Sequence, residues 1–136
     1  MTRNGGAGNN GAIYSIDPIS GKYTFLYSFN VNPSGASPYG NLIQDTNGQL
    51  YGMTYQGGTT GYGVIFSFNP LTYNYSVLQS FIDSDGVYPF GSLMVGNNGA
   101  LYGMTSNGGS NSSTPYGTIF SDDLNTSECS DLVDFN

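Results

Sequence analysis

Apolar residues come along this chain in short runs that alternate with polar ones, and each run ends in a cluster of Gly, Asn, Ser or Pro. A period of two is the mark of a half-buried strand, and no stretch holds a 3.6-residue period long enough to make a helix. The runs recur in a fixed order that resolves into four strands per unit. The first strand is expected at Tyr39–Asp45 and Phe90–Gly96. Asn47-Gly48 or Asn98-Gly99 then turns the chain onto the second, at Gln49–Tyr55 and Ala100–Ser106. Asn-Gly between apolar runs predicts a type I′ hairpin, whose two central positions both need positive φ. A Gly-Gly loop leads to the third strand, at Ala12–Asp17, Val64–Asn69 and Thr118–Asp123. A turn such as Asp17-Pro18-Ile19-Ser20-Gly21 leads to the fourth, at Tyr23–Phe29, Tyr75–Phe81 and Cys129–Phe135. A longer loop with Pro and Gly crosses to the next unit. The sum is about ten strands.

The units are copies of one another. Tyr51-Gly52-Met53-Thr54 returns as Tyr102-Gly103-Met104-Thr105, and Pro38-Tyr39-Gly40 as Pro89-Phe90-Gly91, both 51 residues on. Gly11-Ala12-Ile13-Tyr14-Ser15 returns at Gly63-Val64-Ile65-Phe66-Ser67 and again at Gly117-Thr118-Ile119-Phe120-Ser121. Leu-x-x-Phe recurs as Leu26/Phe29, Leu78/Phe81 and Leu132/Phe135, each Leu 13 residues after the repeated Ile. The acidic tail therefore reads as a diverged last strand. Met1-Thr2 and Gly5-Gly6 match Met53-Thr54 and Gly57-Gly58, so the chain enters the repeat part-way.

Short hairpins followed by one long crossover are the connectivity of a β-propeller blade. The expected fold is all-β: tandem four-stranded antiparallel units forming a partial β-propeller of about two and a half blades. In this reading residues 1–36 are a half-blade, and 37–86 and 87–136 are blades, within one repeat domain. A β-solenoid is the structural alternative, but its rungs have no need of Asn-Gly hairpins. An arc of this size leaves edges open. Ala12–Asp17 is expected to present unpaired backbone, and the chain to self-associate or to lack flanking blades.

The string Leu50-Tyr51-Gly52-Met53-Thr54-x-x-Gly57-Gly58, followed by Gly63-x-Ile65-Phe66, Leu78-x-x-Phe81 and Asp85-Gly86-x-x-Pro89, resembles the GloVer (Gloeo/Verruco) tandem repeat. The likeness runs over essentially the whole chain. Met53 and Met104 depart from it where a second Thr is expected, and Asp122 stands where Ile16 and Phe68 sit in earlier copies. The resemblance implies a propeller-like fold and an exported, extracellular or surface-anchored setting. It implies no catalytic residues.

Composition narrows the function. Only 8% of residues are charged, against roughly 25% in an average domain. The net charge is −7, and Arg3 and Lys22 are the only bases. Two bases cannot neutralise several phosphates, so nucleic acid is not an expected partner. No apolar stretch is long enough for membrane insertion as a helix, and no signal-peptide pattern opens the chain. There is no histidine, which removes the commonest general base and most zinc sites. Cys129 is alone, so it offers neither an intrachain disulfide nor a multi-cysteine metal site. Its acidic neighbours raise a thiol pKa, the reverse of activation, so it is read as a substituted strand residue.

No catalytic residue, metal site or cofactor is expected. Asp83/Asp85 and Asp122/Asp123 are the candidates for paired carboxylates of the kind that cleave glycosides. Asp83-Ser84-Asp85-Gly86 also has the look of a fragment of a calcium loop, but reads better as an Asx-turn. Gly57-Gly58 and Gly108-Gly109 are turn glycines, since no Lys and no helix follows them. Asn74-Tyr75-Ser76, Asn111-Ser112-Ser113 and Asn125-Thr126-Ser127 fit the N-glycosylation pattern. Tyr14, Tyr23, Tyr27, Tyr51 and Tyr102 fall on strands and are expected to pack between units. The loop aromatics Tyr39, Phe90, Tyr62 and Tyr116, with Asn41 and Ser92 beside the first pair, are the candidate ligand-binding residues, facing a carbohydrate or a protein. The expected function is a non-catalytic repeat segment serving as scaffold or binding surface. The alternative is a fragment of a carbohydrate-active propeller enzyme, a polysaccharide lyase or glycosidase.

Overall fold

The computed structural model describes residues 1–110 and 116–135. Among them are eleven strands and no α-helix. The strands are β1 (Ala12–Ile16), β2 (Tyr23–Ser28), β3 (Ile43–Gln44), β4 (Leu50–Thr54), β5 (Val64–Phe68), β6 (Tyr75–Ser80), β7 (Val87–Pro89), β8 (Met94–Val95), β9 (Leu101–Asn107), β10 (Thr118–Asp123) and β11 (Glu128–Asp134). A single 3-10 turn spans Asp83–Asp85. All strand pairing is antiparallel, and the sheets stay open. β1 and β2 form the first sheet, β3-β4-β5-β6 the second, and β11-β10-β9 the third, with both β7 and β8 pairing along β9. The acidic tail is the strand β11, paired with β10 over its length.

The second, third and fourth strands of each unit lie where the sequence puts them, but the first does not. It shrinks from Tyr39–Asp45 to Ile43–Gln44 and from Phe90–Gly96 to Met94–Val95. A separate segment pairs upstream, as β7 and as the bridge of Ala36 to Gln56. The break has a steric cause. Between the two pieces the chain turns toward its neighbouring copy: a Cβ on Gly40 would lie 1.8 Å from the carbonyl oxygen of Gly91. Asn41 N–H donates to Ser92 Oγ at 2.9 Å across the same gap. The backbone used for that approach is not available to the ladder.

The Asn-Gly turns also differ from expectation. Only Gly48 (φ 83°) and Gly99 (φ 81°) are left-handed, and Asn47 and Asn98 are not. Gly48 N–H donates to Asp45 O, and Asp45 N–H to Gln49 O. This is a three-residue hairpin whose glycine takes the left-handed position after a type I turn. Asp45 Oδ1 accepts from the amides of Asn47 and Gln49, which holds the first half of the turn right-handed. Where the third strand meets the fourth, Asp17, Asn69 and Asp123 each accept from backbone N–H two residues on, as Asx-turns do.

The repeated motif is read out in packing. Gly52 faces Phe66 across the ladder, and a Cβ there would lie 2.6 Å from Phe66 Cζ; Gly103 meets Phe120 Cζ at 2.5 Å in the same way. The glycine leaves room for the ring to lie over the strand. Buried Thr54 Oγ1 accepts from Val64 N–H and donates to Gln56 O, and Thr105 repeats both bonds with Thr118 and Asn107. Leu26, Leu78 and Leu132 are skipped by the register at a bulge after the repeated Ile. The bulge turns the strand so that Phe29 and Phe81 bury completely.

The core lies between units. Ile13 and Phe29 of the first pack on Val64, Phe66 and Phe68 of the second. Tyr51, Met53, Ile65 and Phe81 of the second pack on Leu93, Leu101 and Phe120 of the third. β1 has little pairing on its free side; Thr2 bridges Ala12 there, a remnant of the second strand.

Candidate functional site

The crossovers between units carry the site. Ser37 N–H donates to Asn10 O, and Tyr88 N–H to Tyr62 O, so each crossover is tied to the unit before it. Pro38 sits over Gly11, and Pro89 over Gly63, where a Cβ would come within 2.6 and 2.9 Å of the proline ring. Ser37 and Tyr88 are left-handed at φ 56° and 57°, an uncommon state for residues with a side chain. This strained corner, fixed on both sides, aims the following aromatic to the rim.

The result is a continuous row of rings. Tyr39 and Phe90 lie 5.1 Å apart between centroids, and Tyr55 joins them at 5.3 Å from Tyr39. Tyr55 stacks on Tyr88 at 5.1 Å, and Tyr62 closes the row edge-on to Tyr88 at 5.7 Å. The Arg3 guanidinium stands 4.6 Å above the Tyr39 ring, a cation–π contact. Tyr39 and Phe90 are exposed, while Tyr55, Tyr88 and Tyr62 are half-buried and support them.

Of the residues predicted from sequence, Tyr39, Asn41, Phe90 and Ser92 are brought together and Tyr62 joins through Tyr88. Tyr116 is not in the row: it is exposed, paired by a bridge to Gly108, and has no ring partner among the described residues. Tyr55 and Tyr88 escaped the sequence reading. Their counterparts in other copies are Arg3, Ser106 and Ser37, so repetition does not flag them; adjacency to Pro89 is the one signal at Tyr88. Among the strand tyrosines, Tyr27 and Tyr75 stack between units at 4.2 Å and Tyr51 is buried, but Tyr23 is exposed on the first sheet.

The remaining polar groups are committed locally. A groove of about 540 Å³ runs between the two Asn-Gly turns, bordered by Asp45, Asn47, Tyr51, Asn97 and Asn125. Asp45 Oδ2 accepts from Tyr51 OH at 3.2 Å, and its other oxygen holds the turn. Asp85 is bonded by Ser84 and Gln79 in the 3-10 turn, and Asp123 caps its own turn. Asp122 is buried with Oδ2 unpartnered among the described residues, and burial first, then Asp123, raises its pKa. Burial also leads the causes that push Cys129 up to about 12, with Asp122, Asp85 and Asp131 adding to it. No cluster of three or more His, Cys, Asp or Glu with metal-binding geometry occurs among the described residues. Asn74 and Asn125 are exposed, and Asn111 lies outside the described residues.

A family model for the Gloeobacter/Verrucomicrobia repeat matches residues 1–136. The chain belongs to that family. No curated protein matches it. In this Gloeobacter/Verrucomicrobia repeat protein the motif residues serve the fold: Gly52 admits a ring, Thr54 pins the ladder, and Gly58 N–H donates to Val31 O to tie down the previous crossover. The aromatic row lies outside the named residues of the motif string: Tyr39, Tyr55, Tyr62, Tyr88 and Phe90 are none of them.

Proposed function

We propose that the chain is a non-catalytic segment of a β-propeller-like repeat protein, set outside the cell, that offers its aromatic rim as a contact surface for a carbohydrate or an extended peptide. The row of five rings, crossing from one unit to the next, carries this reading. A face of exposed rings over half-buried ones, with one guanidinium and the Asn41/Ser92 pair at its edge, suits the apolar face of a sugar or a peptide side chain. Four-stranded units packed face to face, each handing the chain on through one long crossover, support the propeller-like arrangement. The extracellular setting rests on the resemblance to exported, surface-anchored repeat proteins.

The test is a glycan array run beside an extended-peptide library, followed by titration of the best binder. Tyr39→Ala with Phe90→Ala is expected to weaken that binder by about ten-fold or more, since two exposed aromatic contacts are removed from the row. Unchanged affinity, with strand content and melting preserved, would move the binding surface elsewhere. Tyr116→Ala is expected to leave affinity as it is.

A further inference from the structure

Both described junctions between units are made the same way. The fourth-strand Phe of one unit meets the third-strand Phe of the next: Phe29 on Phe66 at 5.3 Å and Phe81 on Phe120 at 5.1 Å. The repeat carries each half of this contact out to the first and last units, where no described residue covers it. The first unit presents Tyr14, Ile16, Tyr23 and Phe25, which occupy the places of Phe66, Phe68, Tyr75 and Val77. Ile16 is 61% exposed and Phe25 49%, whereas Phe66 and Phe68 are fully buried. The last unit presents Met104, Leu132 and Phe135, in the places of Met53, Leu78 and Phe81. Met104 is 53% exposed where Met53 is 3%. Contiguous apolar sheet faces of this kind mark interaction sites.

We infer that these two faces bind each other, so that a second copy of this chain docks head-to-tail with its Tyr14 against Phe135 in the register of the internal junctions. Continuity with those junctions selects the occupant. The Phe–Phe contact at each junction is made by a fourth strand on a third, and the first unit has both of these strands, as β1 and β2. Charge agrees: Arg3 and Lys22, the only bases, lie in the first unit, and Asp122, Asp123, Glu128, Asp131 and Asp134 lie in the last. The contact is heterologous, so it propagates unless the rotation closes a ring.

Sedimentation across a concentration series tests it with two variants, Phe25→Glu on one face and Met104→Glu on the other. Both side chains are exposed in the single chain, so neither change disturbs its core. The wild type is expected to grow in mass with concentration. Each variant alone is expected to associate about ten-fold more weakly or worse. An equimolar mixture is expected to give a one-to-one dimer, because one intact face of each kind remains. A wild type that stays monomeric at every concentration overturns the proposal. So does a mixture that stays monomeric while the wild type associates, or a variant that still dimerises with itself, which would show like faces pairing. Should either Glu variant fail to fold, Tyr14→Cys with Phe135→Cys in a Cys129→Ser chain replaces it. Oxidation then yields a ladder of cross-linked copies if the register holds, and its absence overturns the proposal.

Discussion

Asp122 gives the sharpest handle on how this repeat departs from itself. It sits on β10 opposite Cys129 and Leu101, in the place held by Phe68 one unit earlier, and is 3% exposed. Its Oδ2 has no hydrogen-bond partner among the described residues, and no base lies in its unit. A buried acceptor without a donor carries its desolvation cost uncompensated, and a charge carries more. Asp122→Ile restores the side chain found at Ile16. The change removes that cost and buries apolar surface in exchange. Against this stands overpacking, which costs about 1–3 kcal/mol when a site cannot widen. Replacements of buried ionic groups by apolar ones of similar size gain about 1–4 kcal/mol. We expect a net gain of about 2 kcal/mol at pH 7, which in a chain of this length raises Tm by about 6 °C.

The pH dependence separates this account from a simple packing gain. The pKa of Asp122 is raised from 3.8 in the folded chain, so the folded state holds a proton that the unfolded state has released. Stability is then lost as pH rises from the unfolded value through the folded one. The advantage of Asp122→Ile is therefore largest at pH 7 and shrinks toward pH 4. Thermal melts followed by circular dichroism at both pH values read it directly, with Asp122→Val as the control for volume. If both variants are less stable than wild type at pH 7, the carboxylate has a favourable role and the reasoning fails.

Two further outcomes follow from the same geometry. Asp131 is pushed up to about 6, by burial first and then by Asp134 and Asp85, so the wild type is expected to melt higher at pH 5 than at pH 7.5; Asp17, lowered by Ser20 and the amides of Ile19 and Ser20, acts only below that window. A Tm that falls on acidification from pH 7.5 to 5 would contradict the assignment. Gly52→Ala places a Cβ 2.6 Å from Phe66 Cζ and 3.0 Å from Leu42 Cδ2, so it is expected to cost about 1–3 kcal/mol in urea unfolding. An unchanged midpoint would mean that the Phe66 ring moves aside freely.

What the sequence disclosed, and what it hid, have separate physical causes. Second, third and fourth strands were legible to within a residue or two because alternation, a Gly or Asx turn at each end and three-fold repetition all agreed. The acidic β11 was legible through the spacing of Leu132 and Phe135 alone, since the bulge and the buried Phe constrain spacing more than composition. The first strand was misplaced because the residues around Gly40 and Gly91 alternate like a strand yet serve a contact between copies, which no single unit encodes. The candidate site was half legible for the same reason. Tyr39 and Phe90 repeat, and so announced themselves. Tyr55 and Tyr88 meet only because adjacent units bring them together.

The two junctions also differ in a way that sets where the molecule gives first. At the first, Tyr27 stacks on Tyr75 with planes 3° apart, beside Phe68. At the second the same three places hold Gln79, Cys129 and Asp122, and Gln79 reaches instead to Asp85 at 3.4 Å. An aromatic corner has been exchanged for a polar one with a single long hydrogen bond. Putting the rings back tests whether that corner governs the attachment of the third sheet. Gln79→Tyr alone regains an edge contact with Phe81, as Tyr27 meets Phe29, and Cys129→Tyr alone regains Phe81 and Phe120, as Tyr75 meets Phe29 and Phe66, but neither single change has the Tyr–Tyr stack, and each is expected to have a small effect. Together they recreate the stack, and a stacked pair contributes about 0.5–1.5 kcal/mol beyond its buried area. The double-mutant cycle is therefore expected to show favourable coupling of about 1 kcal/mol. Amide exchange locates it: protection should rise in β10 and β11 and stay unchanged in β1 and β2, because opening of the third sheet is the step being opposed. Additive effects, or protection that rises uniformly, would mean that the corner contributes no more than general burial and that attachment rests on the apolar cluster around Phe81, Leu93, Leu101 and Phe120.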